Sequence, residues 1–294
     1  CVDGPSAPQA CARMHIKGYP CIERGGIVWT YMGPADQQPE LPELEWCTLP
    51  AEHVYVSKRL QYSSYLQAME GGIDTAHVSY VHRYEVDSDP MHKGVKALDY
   101  IKADGNVVFE IEKTPFGLSL FGRRNGEPDS YYWRVTQWLF PWFTLIAPFG
   151  DHALGGHIWV PIDDENTLSV TWKVTKIPVD RHPFVQQSIP TWYGPLVDDE
   201  GKWIDTHVMN QDFLAWVGQG RIADRTQEHL GASDRGIVAI RRRFFEEMEA
   251  IAAGAEAKGT IRDPAKNVRV QLPMMDRERL LADITVAEIE ADPH

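Results

Sequence analysis

Apolar and polar residues alternate along the middle of the chain, with the two-residue period of a β-strand that has one buried face. Clear examples are Val107–Glu112 and Tyr132–Trp138. His157–Ile162 and Leu168–Val174 flank a short acidic turn, as the two strands of a hairpin do. Because strands joined by tight turns pair antiparallel, residues 96–175 are predicted to form mainly an antiparallel sheet. Such sheets are often curved, and a curved sheet is expected here.

Shorter strands are predicted nearer the start. Residues 19–33 read as two strands around Gly25-Gly26, and Val54–Leu60 reads as a third strand. Between them, Pro34–Pro50 is rich in proline and acidic residues. Because each proline removes a backbone hydrogen-bond donor, this segment is predicted to be a linker at a domain boundary.

The period lengthens to that of an α-helix beyond these strands. Helices are predicted over Asp205–Gln219 and from Ser233-Asp234 to about Ala253. The second helix is expected to carry its apolar residues on one face: Ile237, Ile240, Phe244, Phe245 and Met248. Ser63–Glu70 is predicted to be a helical turn that Gly71-Gly72 breaks. Strands first and long helices last indicate the α+β class.

Composition narrows the classes of function. Of the 294 residues 43% are hydrophobic, and the net charge is −13. A core of ordinary size is therefore expected, and an acidic protein is a poor candidate for binding nucleic acid. No apolar stretch approaches the roughly 20 residues that span a membrane. The cysteines are too few for a disulfide scaffold, so we expect reduced thiols and a cytoplasmic protein.

The candidate chemistry lies in the spacing Asp74-x-x-His77-x4-His82. Two imidazoles and one carboxylate make the facial ligand set of non-haem iron sites, and a helical Asp74 and His77 would share a face. Close pairs also arise by chance among eleven histidines. Asp212, among apolar neighbours, is a candidate carboxylate, for which a metal or a salt bridge would offset the cost of burial. Spacing alone leaves these alternatives open.

Several motifs, in this order, resemble one family. They are Cys1–Ser6 with Tyr19-Pro20 and Gly25–Pro34, Gln67–His77 with His82, Trp133–Trp138, Trp159–Asp164, Asn210–Asp212, and Gln219–Ile237. Together they resemble the α subunit of Rieske-type aromatic ring-hydroxylating oxygenases, in the phthalate dioxygenase-like branch.

The resemblance implies a fold and a division into domains. Residues 36–294 would form a mononuclear-iron catalytic domain of the helix-grip (START/Bet v 1-like) type, a curved antiparallel sheet wrapped on helices. Residues 1–35 would be the C-terminal end of a Rieske 2Fe–2S domain. The predicted order of strands and helices agrees with this expectation.

The resemblance also implies roles for single residues. His77, His82 and Asp212 would ligate Fe(II), leaving positions open for O2 beside the substrate. Asp74 would not be a ligand, but would hydrogen-bond a ligand histidine and form the electron-transfer bridge from the cluster of a neighbouring subunit. The enzyme would insert oxygen derived from O2 into an aromatic substrate, working with a separate reductase of the flavin or iron–sulfur type, as a homotrimer or homohexamer.

The chain departs from the family in its cluster ligands. A Rieske cluster needs a Cys-x-His pair and a Cys-x-x-His pair, and the sequence contains neither. We therefore expect the chain to lack its N-terminal cluster-binding part and to be inactive without that part and the reductase.

Substrate contacts are predicted from charge. The resemblance favours an aromatic carboxylate, and Arg134, on an otherwise apolar strand, is a candidate anchor because guanidinium binds carboxylate bidentately. A structural ion pair is the competing interpretation. The run Arg241–Arg243 is interpreted as a solvated or interface face of the last helix.

Two other classes of protein remain as alternatives. One is a helix-grip carrier that binds hydrophobic ligands without catalysis, which would need no set such as Asp74, His77, His82 and Asp212. The other is a Rieske-independent iron or zinc enzyme that uses the same three ligands.

Overall fold

The structure, a computed structural model, describes residues 5, 7–84, 94–149, 154–174, 185–270 and 275–280. In these ranges the α-helices are α1 (Ala7–Arg13), α2 (Glu45–Thr48), α3 (Tyr65–Ile73), α4 (Ala97–Ala103), α5 (Val208–Gly218) and α6 (Arg235–Ala252). The strands are β1 (Cys21–Arg24), β2 (Ile27–Thr30), β3 (Val54–Gln61), β4 (Val108–Lys113), β5 (Gly117–Asn125), β6 (Ser130–Leu139), β7 (Phe143–Ile146), β8 (Leu154–Pro161), β9 (Thr167–Val174) and β10 (Met275–Leu280).

One large antiparallel sheet organises the molecule, with strands in the order β3-β9-β8-β7-β6-β5-β4. β10 joins the same sheet by pairing with β6. The predicted antiparallel sheet within residues 96–175 is confirmed, although that region also contains α4. The predicted hairpin of β8 and β9 is confirmed too, and Asp163 and Asn166 hydrogen-bond to each other in its acidic turn.

Side chains on the two faces of the sheet belong to different core clusters, because neighbouring residues of a strand point to opposite faces. Trp159 packs with Met69 of α3, Trp216 of α5 and Ile240 of α6. Ile158, one residue earlier, belongs to a second cluster. The α+β class, with helices packed on an antiparallel sheet, is thus confirmed.

The segment predicted to be a linker packs against the second cluster. Trp46 of α2 is buried, and its ring stacks on that of Trp172 at 5.2 Å between centroids. Trp29 of β2 stacks on Phe143 of β7 at 6.1 Å. The connector therefore covers the sheet instead of spanning open solvent, and the domain boundary at residue 35 stays a prediction.

The predicted helix break at Gly71-Gly72 is wrong, since α3 continues through both glycines to Ile73. A Cβ atom on Gly71 would lie 2.3 Å from Nε1 of Trp216, and one on Gly72 would lie 2.9 Å from Oγ1 of Thr144. These glycines let α5 and the sheet approach α3 closely, so they serve packing and do not end the helix.

The two long helices are confirmed, as α5 and α6. The apolar face predicted for α6 is only partly right: Ile240 is buried, whereas Phe245 and Met248 are 64% and 62% exposed. The helix follows the expected period, but only part of that face reaches the core. Among the described residues, no helix combines the length and apolar character needed to cross a membrane.

Candidate metal centre

Asp74 and His77 lie in the turn that follows α3. Asp74 ends that helix, and its Oδ1 accepts a hydrogen bond from the backbone N–H of Ala76 at 2.7 Å. Its Oδ2 accepts from the backbone N–H of His77 at 3.0 Å. A short 3-10 helix then begins at His77. Asp74 and His77 thus do not share one continuous α-helix, and the Asp74 carboxylate instead shapes the turn that carries His77.

Helix α5 brings Asp212 to the two histidines. Oδ1 of Asp212 lies 3.4 Å from Nε2 of His77 and 3.1 Å from Nε2 of His82. One ligand atom from each of the three residues lies within 4.8 Å of the others. Metal–ligand bonds of about 2.1 Å at right angles place ligand atoms about 3 Å apart, so this donor set fits one small divalent cation.

The other ring nitrogens of the histidines face acceptor oxygens. Nδ1 of His82 lies 2.7 Å from Oε1 of Gln211, and the Gln211 amide is oriented by donating through Nε2 to the carbonyl of Asp205 at 2.8 Å. Because Oε1 only accepts, the proton of a neutral His82 sits on Nδ1 and the Nε2 lone pair faces Asp212. Nδ1 of His77 lies 3.5 Å from Oδ2 of Asp74.

The three groups are electrostatically coupled. Burial opposes ionisation of Asp212, but the two histidines hold the pKa of its carboxyl well below the usual range. Burial also opposes a charged His77, yet the carboxylates of Asp212 and Asp74 raise the pKa of that imidazole to about 10. A proton and a metal cation exclude each other at Nε2, so a metal that binds here would displace a proton.

A cavity of about 240 Å³ reaches Asp74, His77 and Asp212. It is also lined by an ion-pair network whose four members are Glu70, Arg225, Glu228 and Arg241. Val81, Trp216, Leu230 and Ile237 border the same cavity, so charged and apolar side chains both line it.

The interpretation of Arg241–Arg243 as a solvated or interface face is wrong for Arg241 and Arg243, whereas Arg242 is exposed as expected. Arg241 donates from Nε to Glu70 at 2.7 Å and from Nη1 to Glu228 at 2.6 Å. Arg243 is buried. Hydrogen bonds from Arg241 and Arg225, against the opposing effect of burial, lower the pKa of Glu228 to about 2. No sequence spacing signals this network, because Glu70 lies 171 positions from Arg241.

Arg134, the predicted carboxylate anchor, is 2% exposed on β6. Its guanidinium donates from Nε to Thr75 Oγ1 at 3.1 Å and from Nη2 to the carbonyl of Ala147 at 2.7 Å. Nη1 donates to the Tyr132 hydroxyl and to the carbonyl of Pro148. Within the described residues, four of its five N–H groups therefore donate to neutral oxygens and one has no acceptor, and the anchor role stays a prediction.

His157 on β8 is a buried group near the centre that the sequence did not single out. Its Nδ1 lies 3.0 Å from Oγ1 of Thr171, and its ring stacks on Trp159 at 4.7 Å. Burial lowers the pKa of its imidazole to about 4, so it is neutral at pH 7. Strand alternation places His157 with Trp159, but the sequence contains no signal that this face meets α5. Gln211 was missed for the same reason.

Comparison with known sequences gives a family and several relatives. Residues 30–189 and 197–275 match the family described as LigXa C-terminal domain like. The chain is 37% identical to the 5,5'-dehydrodivanillate O-demethylase oxygenase subunit of Sphingobium sp., over 95% of this chain and 63% of that one. It is 32% identical to the phthalate 4,5-dioxygenase oxygenase subunit of Pseudomonas putida, over 88% of this chain and 65% of that one. The chain thus spans less than two thirds of these two relatives.

Comparison with solved structures supports the fold. Dicamba monooxygenase bound to dicamba superimposes with a TM-score of 0.53, at 16% sequence identity, over 81% of this chain and 71% of that one. At this level of identity the likeness concerns the arrangement of the sheet and helices alone.

Proposed function

The chain belongs to the LigXa C-terminal domain-like family of Rieske-type oxygenase subunits, and from that premise we propose that it holds a mononuclear Fe(II) ion through His77, His82 and Asp212. The reaction we propose is the insertion of O2-derived oxygen into an aromatic substrate. The expected family resemblance is confirmed, and relatives that are oxygenase subunits support an oxygenase.

The single observation that carries the proposal is the convergence of the three ligand atoms within 4.8 Å. A carrier of hydrophobic ligands has no need to bury an aspartate between two imidazoles, which costs free energy unless a cation compensates. The two-histidine, one-carboxylate set is typical of non-haem Fe(II) enzymes that use O2, because it leaves coordination positions open.

Each residue of the centre has a distinct task. Iron, when bound, supplies the redox centre at which O2 is reduced and oxygen passes to the ring. Gln211 keeps the proton of His82 on Nδ1 and so presents Nε2 as a ligand. Asp74 holds the turn that positions His77 and accepts from its backbone N–H. Asp212 supplies the negative charge that offsets the charge of the cation.

The substrate class we propose is an aromatic carboxylate. Two relatives are named for phthalate and 3-chlorobenzoate, and Arg134 offers its remaining N–H as a weak anchor. Electrons are proposed to come from a flavin or iron–sulfur reductase through a Rieske cluster, with Asp74 as the bridge between neighbouring subunits of a trimer or hexamer. In the same proposal residues 1–35 are the end of a Rieske domain.

Metal analysis tests the ligand set. The full chain, loaded with Fe(II) without oxygen and desalted, is expected to retain about one iron, and Asp212→Asn is expected to lose it. Asp205→Asn is the matched control, because this exposed aspartate contributes only its backbone carbonyl to the centre. Equal iron in wild type and Asp212→Asn would refute the assignment, and retention of zinc in preference to iron would favour the alternative of a Rieske-independent zinc enzyme.

Catalysis is tested separately from metal binding. Iron-loaded protein supplied with hydrogen peroxide and benzoate or phthalate is expected to give hydroxylated products, which mass spectrometry detects. Iron-loaded protein that binds these acids but never yields product would favour the carrier alternative.

A further inference from the structure

A second cavity, of about 450 Å³, lies between the end of β3, the segment 192–196 and α5. Its volume is in the range of small-molecule sites, and none of the three candidate metal ligands lines it. Most of its wall is apolar or aromatic, with two polar exceptions on β3, Arg59 and Gln61. Since Arg59 and Gln61 are two positions apart on one strand, both point to the same face.

Arg59 is 7% exposed, and its charge is not paired in the part of the chain that the structure describes. Nη2 donates to the carbonyl of Gly194 at 3.0 Å. Nη1 is buried and has no hydrogen-bond acceptor among the described residues, and Oε1 of Gln61 is likewise buried without a donor. An unsatisfied buried donor on a cation is costly, so the arrangement is incomplete without a further group.

Two other arginines of the same protein, the partly buried Arg241 and the buried Arg134, have acceptors for their guanidinium groups. Arg241 is held by two carboxylates, and Arg134 donates to four neutral oxygens. Arg59 differs from both because it lines a cavity and its buried Nη1 has no acceptor among the described residues. Its burial also lowers the pKa of the guanidinium, which remains positively charged at pH 7.

Two aromatic rings hold the Arg59 guanidinium in place. Its Cζ lies 3.8 Å from the ring centroid of Phe213 and 4.6 Å from that of Trp192. The backbone of Trp192 is itself fixed, since its N–H donates to the carbonyl of Lys58 on β3 at 2.7 Å. A guanidinium held in this way is preorganised to present its N–H edge to an anion, at little further cost in entropy.

We propose that this cavity binds a small aromatic carboxylate, with the carboxylate accepting from Nη1 of Arg59 and the ring lying against the apolar wall of Leu196 and Val217. The carboxylate satisfies the buried cation, and the flat ring suits the aromatic lining. The site lies against α5, the helix that carries Asp212, yet it does not depend on a bound metal.

Isothermal titration of the full, metal-free chain with benzoate tests the proposal. Arg59→Met keeps the buried aliphatic part of the side chain but removes its charge. It is expected to weaken benzoate binding by about tenfold or more. Lys58→Met, a matched control, removes a charge from the neighbouring position on the opposite face and is expected to change binding less than about twofold. Benzyl alcohol, a neutral analogue, is expected to bind wild type at least about tenfold more weakly than benzoate does.

Two further variants separate this site from the metal centre. Gly194→Ala, whose Cβ would lie 3.1 Å from Nη1 of Arg59, crowds the anion position and is expected to weaken binding. Asp212→Asn removes a metal ligand and is expected to leave benzoate binding intact. Undetectable benzoate binding, equal binding of benzyl alcohol, or equal binding by Arg59→Met would each overturn the proposal. Loss of binding in Asp212→Asn would assign the benzoate to the metal centre instead.

Discussion

We expect the contact between α3 and α5 to set the geometry of the candidate metal centre, and Gly71→Ala tests this directly. A Cβ on Gly71 would lie 2.3 Å from Nε1 and 2.9 Å from Cε2 of Trp216, where ordinary contacts begin at 3.4 Å. The buried indole has no room to turn away, so α5 must move by about 1 Å, a typical overpacking event that costs about 1–3 kcal/mol.

The same displacement reaches Asp212. Trp216 and Asp212 are one helical turn apart on α5 and share a face, so a rigid helix carries both. Metal–ligand distances tolerate only about 0.2 Å. The variant is therefore expected to lose about tenfold or more in Fe(II) affinity, beyond its loss in stability.

Urea unfolding followed by circular dichroism measures the stability, and anaerobic titration calorimetry measures Fe(II) binding. Gly218→Ala is the control, because it lies on α5 and its Cβ would meet nothing within 4 Å. It is expected to keep wild-type Fe(II) affinity and to gain up to about 1 kcal/mol of stability. If Gly71→Ala matches wild type in both measurements, the close approach of the two helices does not position Asp212.

Three further predictions concern single contacts. Gln211→Leu removes the acceptor at Nδ1 of His82 and is expected to lower Fe(II) affinity about 10- to 100-fold by titration calorimetry. Glu228→Gln is expected to lower the free energy of unfolding by about 1–3 kcal/mol at pH 7. The pKa of Glu228 is about 2 in the folded protein, against an ordinary value of 4.5. The stability difference between wild type and variant is therefore expected to shrink as the pH falls from 4.5 to 2. An equal loss at pH 7 and pH 2 in urea unfolding would contradict this. Arg134→Met leaves several buried oxygens without a hydrogen-bond donor and is expected to destabilise the protein by more than about 3 kcal/mol. A melting temperature near that of wild type would reject the structural role of Arg134.

Local patterns predicted much of the fold, because strand alternation and helical period report burial within one element. The hairpin around Asp163 and Asn166 and helices α5 and α6 all follow from such patterns. Two of the candidate ligands, His77 and His82, stand close enough in sequence for spacing to suggest a site.

These local patterns could not predict contacts between elements that are far apart in the sequence. In the sequence Gly71 predicts a helix break, and only the structure shows that Trp216 packs against it. Gln211 is an ordinary polar helix residue in the sequence, and only the structure shows its contact with His82. The same holds for Arg59, whose strand position reveals burial but not the missing counter-charge. Pairing over such separations depends on how the elements dock, which no local period encodes.

The chain length between the candidate ligands has a consequence of its own. Gln211, the neighbour of Asp212, lies 129 positions after His82 in the sequence. The stretch between them contains β4 to β9. An ion bound to both ends closes this stretch into a ring, and cross-linking about 100 residues removes unfolded-state entropy worth roughly 4–5 kcal/mol. If iron binds as proposed, it would therefore cross-link the folded chain in addition to serving as a reactive centre. On the same proposal, removal of the metal is expected to increase proteolysis of the chain as well as to abolish activity.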